Sequence, residues 1–139
     1  MGLAVALQNL CGDMGDSLGI PVRLTMADSR LSRDAELAVY RFVQEALTNV
    51  GKYASATEVE VRLEVASGKA TVTVRDDGSG FDTTNPRAGH HGLAGMQFRA
   101  ESLGGSKRIE SAPGKGTVVS IEFAEEPDSQ FPADANSAT

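Results

Sequence analysis

A chain of 139 residues, 40% hydrophobic and 23% charged, is sized for one globular domain with its own core. Its formal net charge of -6 excludes a basic grip on a phosphate backbone, so no direct nucleic-acid partner is expected. The single Cys11 cannot form an internal disulfide, and Cys11 with His90 and His91 is too small a set for a zinc cluster.

Leu3, Leu7, Leu10, Met14 and Leu18 recur at steps of three and four, which predicts an amphipathic helix over 2–18, ended by Gly19. It starts without an N-cap, as a helix continuing from an upstream segment or a frayed terminus would. The start MGLAVALQNL lacks a basic n-region, and Ala6 stands where a myristoylation signal wants Ser or Thr. No apolar run nears the roughly 20 residues that span a bilayer. A cytoplasmic domain without membrane contact is expected, which is compatible with a membrane-bound parent.

After Pro21, the alternation of Ile20, Val22, Leu24 and Met26 with polar residues predicts a strand. Ser32 is the N-cap of a long helix over about 33–53, with Leu37, Tyr40, Val43, Leu47 and Val50 on its packing side. Val59, Val61, Leu63 and Val65 form a strand, Ser67-Gly68 a turn, and Ala70, Val72 and Val74 the antiparallel partner. The glycine-rich stretch 77–92 reads as a long mobile loop of the functional kind. A helix over 93–103, a strand over 106–111, a Pro113-Gly114-Lys115-Gly116 turn and a strand over 117–123 complete the order. This predicts an α/β, two-layer sandwich whose mixed, mostly antiparallel sheet is covered on one face by three helices. The domain is expected over 1–123. Residues 124–139, with two prolines and several acids, should be a disordered tail.

Three segments carry polar residues in patterns suited to an anionic ligand. Within QEALTNVGKYA, Glu45, Asn49 and Lys52 fall at i, i+4 and i+7, one above another on a helix. A carboxylate, an amide and an ammonium so placed suit a magnesium-bound polyphosphate, since magnesium keeps its waters and takes few protein oxygens. Alone, the stripe reads better as a solvated helix face. The second segment, Asp76-Asp77-Gly78-Ser79-Gly80, closes the alternating run ATVTVRD. Asp76 at a strand end can accept a hydrogen bond from an exocyclic amine, Gly78 and Gly80 permit positive φ and close approach, and Phe81 can shield a pocket or pin the loop. A plain DDG turn fits the same residues. In the third, Gly92-Leu93-Ala94-Gly95-Met96 opens a helix whose first N–H groups can seat phosphate, or is helix punctuation.

Together and in this order, the three segments resemble the N, G1 and G2 boxes of the GHKL ATP-binding (Bergerat) fold of sensor histidine kinases, Hsp90, MutL and gyrase. They are most similar to the catalytic ATP-binding domain of sensor histidine kinases, in the subgroup that partners LuxR-type response regulators. The likeness runs from about Gly2 to Phe123. It implies a protein histidine kinase catalytic domain with ATP and Mg as cofactors, and Asn49 as the magnesium ligand. It further implies Asp76 reading the adenine amine, Glu45 and Lys52 as catalytic residues, and an ATP site that includes Gly78, Gly80, Gly92, Leu93, Gly95, Met96 and Thr117. The implied partners are the kinase's own dimerisation and phosphoacceptor domain and a downstream response regulator. The chain departs from the family pattern at Tyr53, where His is usual, at His90-His91-Gly92 with Gly89 displaced by one, and at Gln97-Phe98. An acceptor HD-type motif is not found in this sequence. An anti-sigma-type serine kinase and a nucleotide-sensing pseudo-enzyme module are the alternative readings.

Overall fold

A computed structural model of the chain describes residues 2–29, 31–80, 100–101 and 103–124. Helix α1 (Leu3–Leu18) starts after Gly2 without a side-chain cap and is closed by Gly19, whose left-handed backbone sends its N–H to the Gly15 carbonyl at 2.8 Å. Its buried residues Leu3, Leu7, Leu10 and Cys11 follow the expected stripe, and Met14 and Leu18 pack at the margin of the core.

Helix α2 (Arg33–Asn49) begins at Ser32, whose side chain accepts the Ala35 N–H at 3.0 Å, and carries Asp34 and Glu36 in a first turn where acids suit the helix dipole. It buries Ala35, Val39, Phe42, Val43, Ala46 and Leu47. Leu37, expected among the packing residues, is instead 52% exposed. It lies two positions from both Ala35 and Val39, roughly 200° around the helix from each at 100° per residue. The expected α-helix to about residue 53 stops at Asn49, and Val50–Ala54 form a π turn ending on Ser55 in the left-handed region.

The sheet comprises β1 (Val22–Met26), β2 (Val59–Ala66), β3 (Lys69–Asp76), β4 (Ser106–Ser111) and β5 (Thr117–Ala124). Their spatial order is β1-β2-β3-β5-β4; β1 and β2 run parallel and the other neighbours antiparallel. The parallel pair requires a crossover, which α2 supplies, whereas β2 and β3 are joined by Ser67-Gly68, both at positive φ as a two-residue hairpin needs. One face of the sheet presents Val59, Val61, Leu63, Ala70, Val72, Val74, Val119, Ile121 and Phe123 to the core. Full burial of a side chain such as Leu63 or Ile121 contributes about 1.5–3 kcal/mol. The other face carries Arg23, Glu60, Arg62, Glu64 and Lys69, with ion pairs such as Arg62–Glu60 at 2.8 Å and Lys69–Glu122 at 3.8 Å. Exposed pairs of this kind stabilise by at most about 1 kcal/mol each.

The result is the expected α/β sandwich with a mixed, mostly antiparallel sheet. Of the third expected helix, Ala100 and Glu101 are described and helical, and Ala100 is fully buried in the core. Residues 81–92 of the loop, residues 93–99 and 102 of that helix and the tail from 125 lie outside the described residues.

Candidate functional site

Strand β3 places Ala70, Val72 and Val74 on the core face, and the same alternation carries Asp76 to the end of that row. Asp76 is 8% exposed and is the buried charged residue among those described. Its carboxylate accepts the Gly78 N–H at 2.8 Å and a backbone N–H from Thr117, which stands opposite it in the β3–β5 register. Burial nevertheless raises its pKa, and the neighbouring Asp77 charge adds to the effect. An ionised carboxylate offers about four lone-pair sites, so two backbone donors leave acceptor capacity for a further N–H. A buried acceptor with spare capacity at the rim of an apolar core can take one more N–H donor.

The walls around Asp76 are backbone. Ser79 accepts the Gly114 N–H on its carbonyl at 2.6 Å, which docks the Asp76–Gly80 turn against the β4–β5 hairpin. At the junction, Gly80 (φ 63°) and Gly116 (φ 76°) pack so closely that an added Cβ would stand 2.1 Å from the Ala112 carbonyl oxygen and 2.2 Å from that of Asp76, respectively. Both positions therefore require glycine twice over, for φ and for space. Gly78, by contrast, does not take a positive φ; it is buried and serves through its N–H. The Thr117 hydroxyl lies 2.9 Å from that of Ser111, its cross-strand partner, which also reaches the Gly116 carbonyl at 3.0 Å.

On α2, Glu45 and Asn49 are half-buried at i and i+4, and α2 packs over β3. Lys52 is exposed and sits in the π turn that follows Asn49. Phe81, Gly92, Leu93, Gly95 and Met96 lie outside the described residues, as do His90 and His91.

Sequence reasoning passed over Asp77. Pointing to the opposite side from Asp76, its Oδ1 accepts the backbone N–H groups of Thr57 at 2.7 Å and Glu58 at 3.1 Å, and its Oδ2 accepts the Thr57 hydroxyl. These bonds, the Thr57 hydroxyl first, hold its pKa below the usual carboxylate range. The available signal was the Asp-Asp pair itself, because consecutive residues at a strand end face opposite ways and cannot share one role. Outside this corner, a cleft of about 230 Å³ is lined by Arg23, Glu58, Val59, Glu60, Arg75, Asp76 and Asp77. Glu45 and Asn49 do not line it, so it is the outer flank of the strand ends and not the space between Asp76 and α2.

Residues 34–127 match the family model of histidine kinase-, DNA gyrase B- and HSP90-like ATPases. The chain is 41% identical over 94 residues to the signal transduction histidine-protein kinase/phosphatase DegS of Brevibacillus brevis, an alignment covering 68% of this chain and 24% of that protein. It is 31% identical over 121 residues to the sensor histidine kinase LiaS of Bacillus subtilis (strain 168), covering 87% of this chain and 34% of LiaS. Among solved structures, the histidine kinase domain from the Erythrobacter litoralis EL346 blue-light activated histidine kinase shares the fold with a TM-score of 0.79 at 24% identity, over 96% of this chain and 66% of that one. The Acinetobacter baumannii histidine kinase AdeS does so at 0.74 and 16% identity, over 88% and 64% of the two chains. The chain belongs to the histidine kinase-, DNA gyrase B- and HSP90-like ATPase family, as an ATP-binding catalytic domain of the sensor histidine kinase type. It spans about a quarter to a third of the length of the two curated relatives. No helix among the described residues is long and apolar enough to cross a membrane.

Proposed function

We propose that this domain binds ATP with magnesium and holds the γ-phosphate for transfer to a histidine on a separate dimerisation segment, from which a response regulator then takes the phosphoryl group. The observation that carries the reading is Asp76: a buried carboxylate ending an apolar row, held by two backbone N–H groups and backed by Gly80 and Gly116. In this role Asp76 accepts the adenine amino group, and Thr117 lines the base. Asn49 would hold magnesium through its amide oxygen, and the ion would supply charge neutralisation at the phosphates. Glu45, one turn before Asn49, would help to hold the hydrated ion, and Lys52 would offset phosphate charge from the π turn. Gly78 and Gly80 shape the base side; Gly92, Leu93, Gly95 and Met96 would seat the phosphates by backbone N–H groups.

Phosphoryl transfer asks a protein mainly for positioning and charge neutralisation. These residues provide both, while the acceptor comes from outside the domain, which we place over residues 1–123. The site of action is the cytoplasm, where ATP is available. Incubating the chain with labelled ATP and magnesium, alone and with the histidine-bearing dimerisation segment of its parent kinase, tests the proposal. The expected product is acid-labile, base-stable phosphate on that segment and none on the chain alone. Phosphate on His90 or His91, or an acid-stable phosphoserine on an acceptor, would overturn it.

A further inference from the structure

Asp77 joins two parts of the chain that sequence leaves twenty residues apart. Thr57 and Glu58 belong to the short link, beginning at left-handed Ser55, that leads from the π turn after α2 into β2. Three donors from this link converge on one carboxylate at the end of β3. The link also leads out of the π turn that carries Lys52 and follows Asn49, while Asp77 follows directly on Asp76. Val59 pairs with Asp76 in the β2–β3 register, so the backbone on both sides of the clasp is fixed by the sheet.

We propose that Asp77 is a positioning residue that sets the C-terminal end of α2, with Asn49 and Lys52, relative to the base-reading Asp76. The inference rests on the proposed nucleotide site and deepens it, by assigning the spacing between its base end and its phosphate end to one side chain that touches neither. The physical need is clear at the π turn. A π turn is an uncommon, isolated geometry, and its exit through Ser55 at φ 52° is a conformation that a non-glycine residue seldom takes. Such a segment holds one shape only where its surroundings impose it. Asp77 does so with charge-assisted bonds to two backbone N–H groups, which are stronger than neutral ones and directional. A ligand that spans both ends of the site is sensitive to this spacing; one that occupies the base end alone is not.

The test is titration calorimetry of the chain with magnesium-ATP and with adenosine, for the wild type and for Asp77→Ala, Asp77→Asn and Thr57→Val. Asp77→Ala is expected to weaken magnesium-ATP by about tenfold, the size of one lost phosphate-end contact, and adenosine by less than about twofold. Asp77→Asn should keep most of the affinity. Its amide oxygen still accepts the two N–H groups and its NH2 can donate to the Thr57 hydroxyl. Thr57→Val, which removes the hydroxyl alone, should shift the same ratio in the same direction by a smaller factor, and it serves if Asp77→Ala does not fold. Equal losses for the two ligands, or none, would overturn the positioning role. Amide hydrogen exchange without nucleotide supplies a readout independent of binding. In Asp77→Ala, exchange should quicken from Val50 to Glu58 and stay unchanged in the centres of β2 and β3. Unchanged exchange over 50–58 would overturn the clasp even in a chain that binds ATP. A wild-type chain that bound no nucleotide would instead remove the proposed function and leave the clasp to be decided by exchange.

Discussion

The two sides of the β3 terminus, one residue apart in sequence, are built on opposite physical terms. On the core side, Asp76 is buried with two backbone donors, and loss of water raises its pKa. On the outer side, Asp77 is exposed, meets three donors, and has its pKa lowered by them. The buried acid with fewer donors has the more acceptor capacity left, and the exposed acid spends most of its bonds within the fold. Both titrations are perturbed, in opposite directions, so the sign of the shift and the number of donors, and not perturbation as such, separate the two sides.

The sharpest way to break this contrast is Asp76→Asn. If the amide oxygen stays with the Gly78 and Thr117 N–H groups, the NH2 faces the base and sets donor against donor. Adenosine and ATP should both bind about a hundredfold more weakly, since a charge-assisted hydrogen bond contributes roughly 1.5–3 kcal/mol. The melting temperature should not fall, because the substitution removes a desolvated charge while keeping an acceptor. Unchanged affinity in calorimetry would reduce Asp76 to a turn residue.

Next in size is Gly116→Ala. The backbone is left-handed there, and the new Cβ would press on the Asp76 carbonyl at 2.2 Å, with backbone and no flexible side chain to yield. Strain of this kind costs about 2 kcal/mol. Urea denaturation should show the loss, and nucleotide affinity should fall with it as Asp76 is displaced. The mirrored change at an open position, Gly114→Ala, has the same positive φ and no neighbour within 4 Å, so it isolates the φ cost from the clash.

How much of this was open to sequence depends on the range of the interaction. The strand spans, the Ser32 cap and the Ser67-Gly68 hairpin follow from local period and turn chemistry, and the structure has them within a residue or two. Asp76 was legible as a strand-end acid. Its burial, however, is set by three strands meeting in register, and the glycine cradle depends on Gly80 meeting a hairpin more than thirty residues on. Neither has a local signature. The π turn was invisible for another reason: VGKYA continues the helical period as well as it interrupts it. Leu37 was misassigned because leucine type was weighed above helical angle.

Asn49→Ala tests whether the core-side site extends onto α2. It should weaken magnesium-ATP by about tenfold, the loss of one amide contact to the metal in water-rich surroundings, and leave adenosine nearly unchanged. Calorimetry with and without EDTA separates the two terms: the variant and the wild type should converge once magnesium is removed. Equal weakening of adenosine would make Asn49 a structural residue of the helix.

The smallest expected effect is on stability against pH, and it tests the contrast without any ligand. A free aspartate titrates near pH 3.9. Asp76, with its folded pKa above that value, keeps its proton longer in the folded chain than in the unfolded one. Stability from this group is therefore fully present below about pH 4 and is lost as pH rises through its folded pKa. Asp77, with its folded pKa below that value, has the opposite sign: its contribution is present above about pH 4 and is lost as pH falls through its folded pKa. Urea midpoints measured from about pH 2.5 to pH 7 should thus respond with opposite sign. Asp76→Asn should gain on the wild type as pH rises above about 4 and converge with it below. Asp77→Asn should lose on the wild type above about pH 4 and converge with it in acid. Two difference curves of the same sign would mean that the neighbouring carboxylates share one environment, and the division of β3's end into a binding side and a clasping side would have no electrostatic basis.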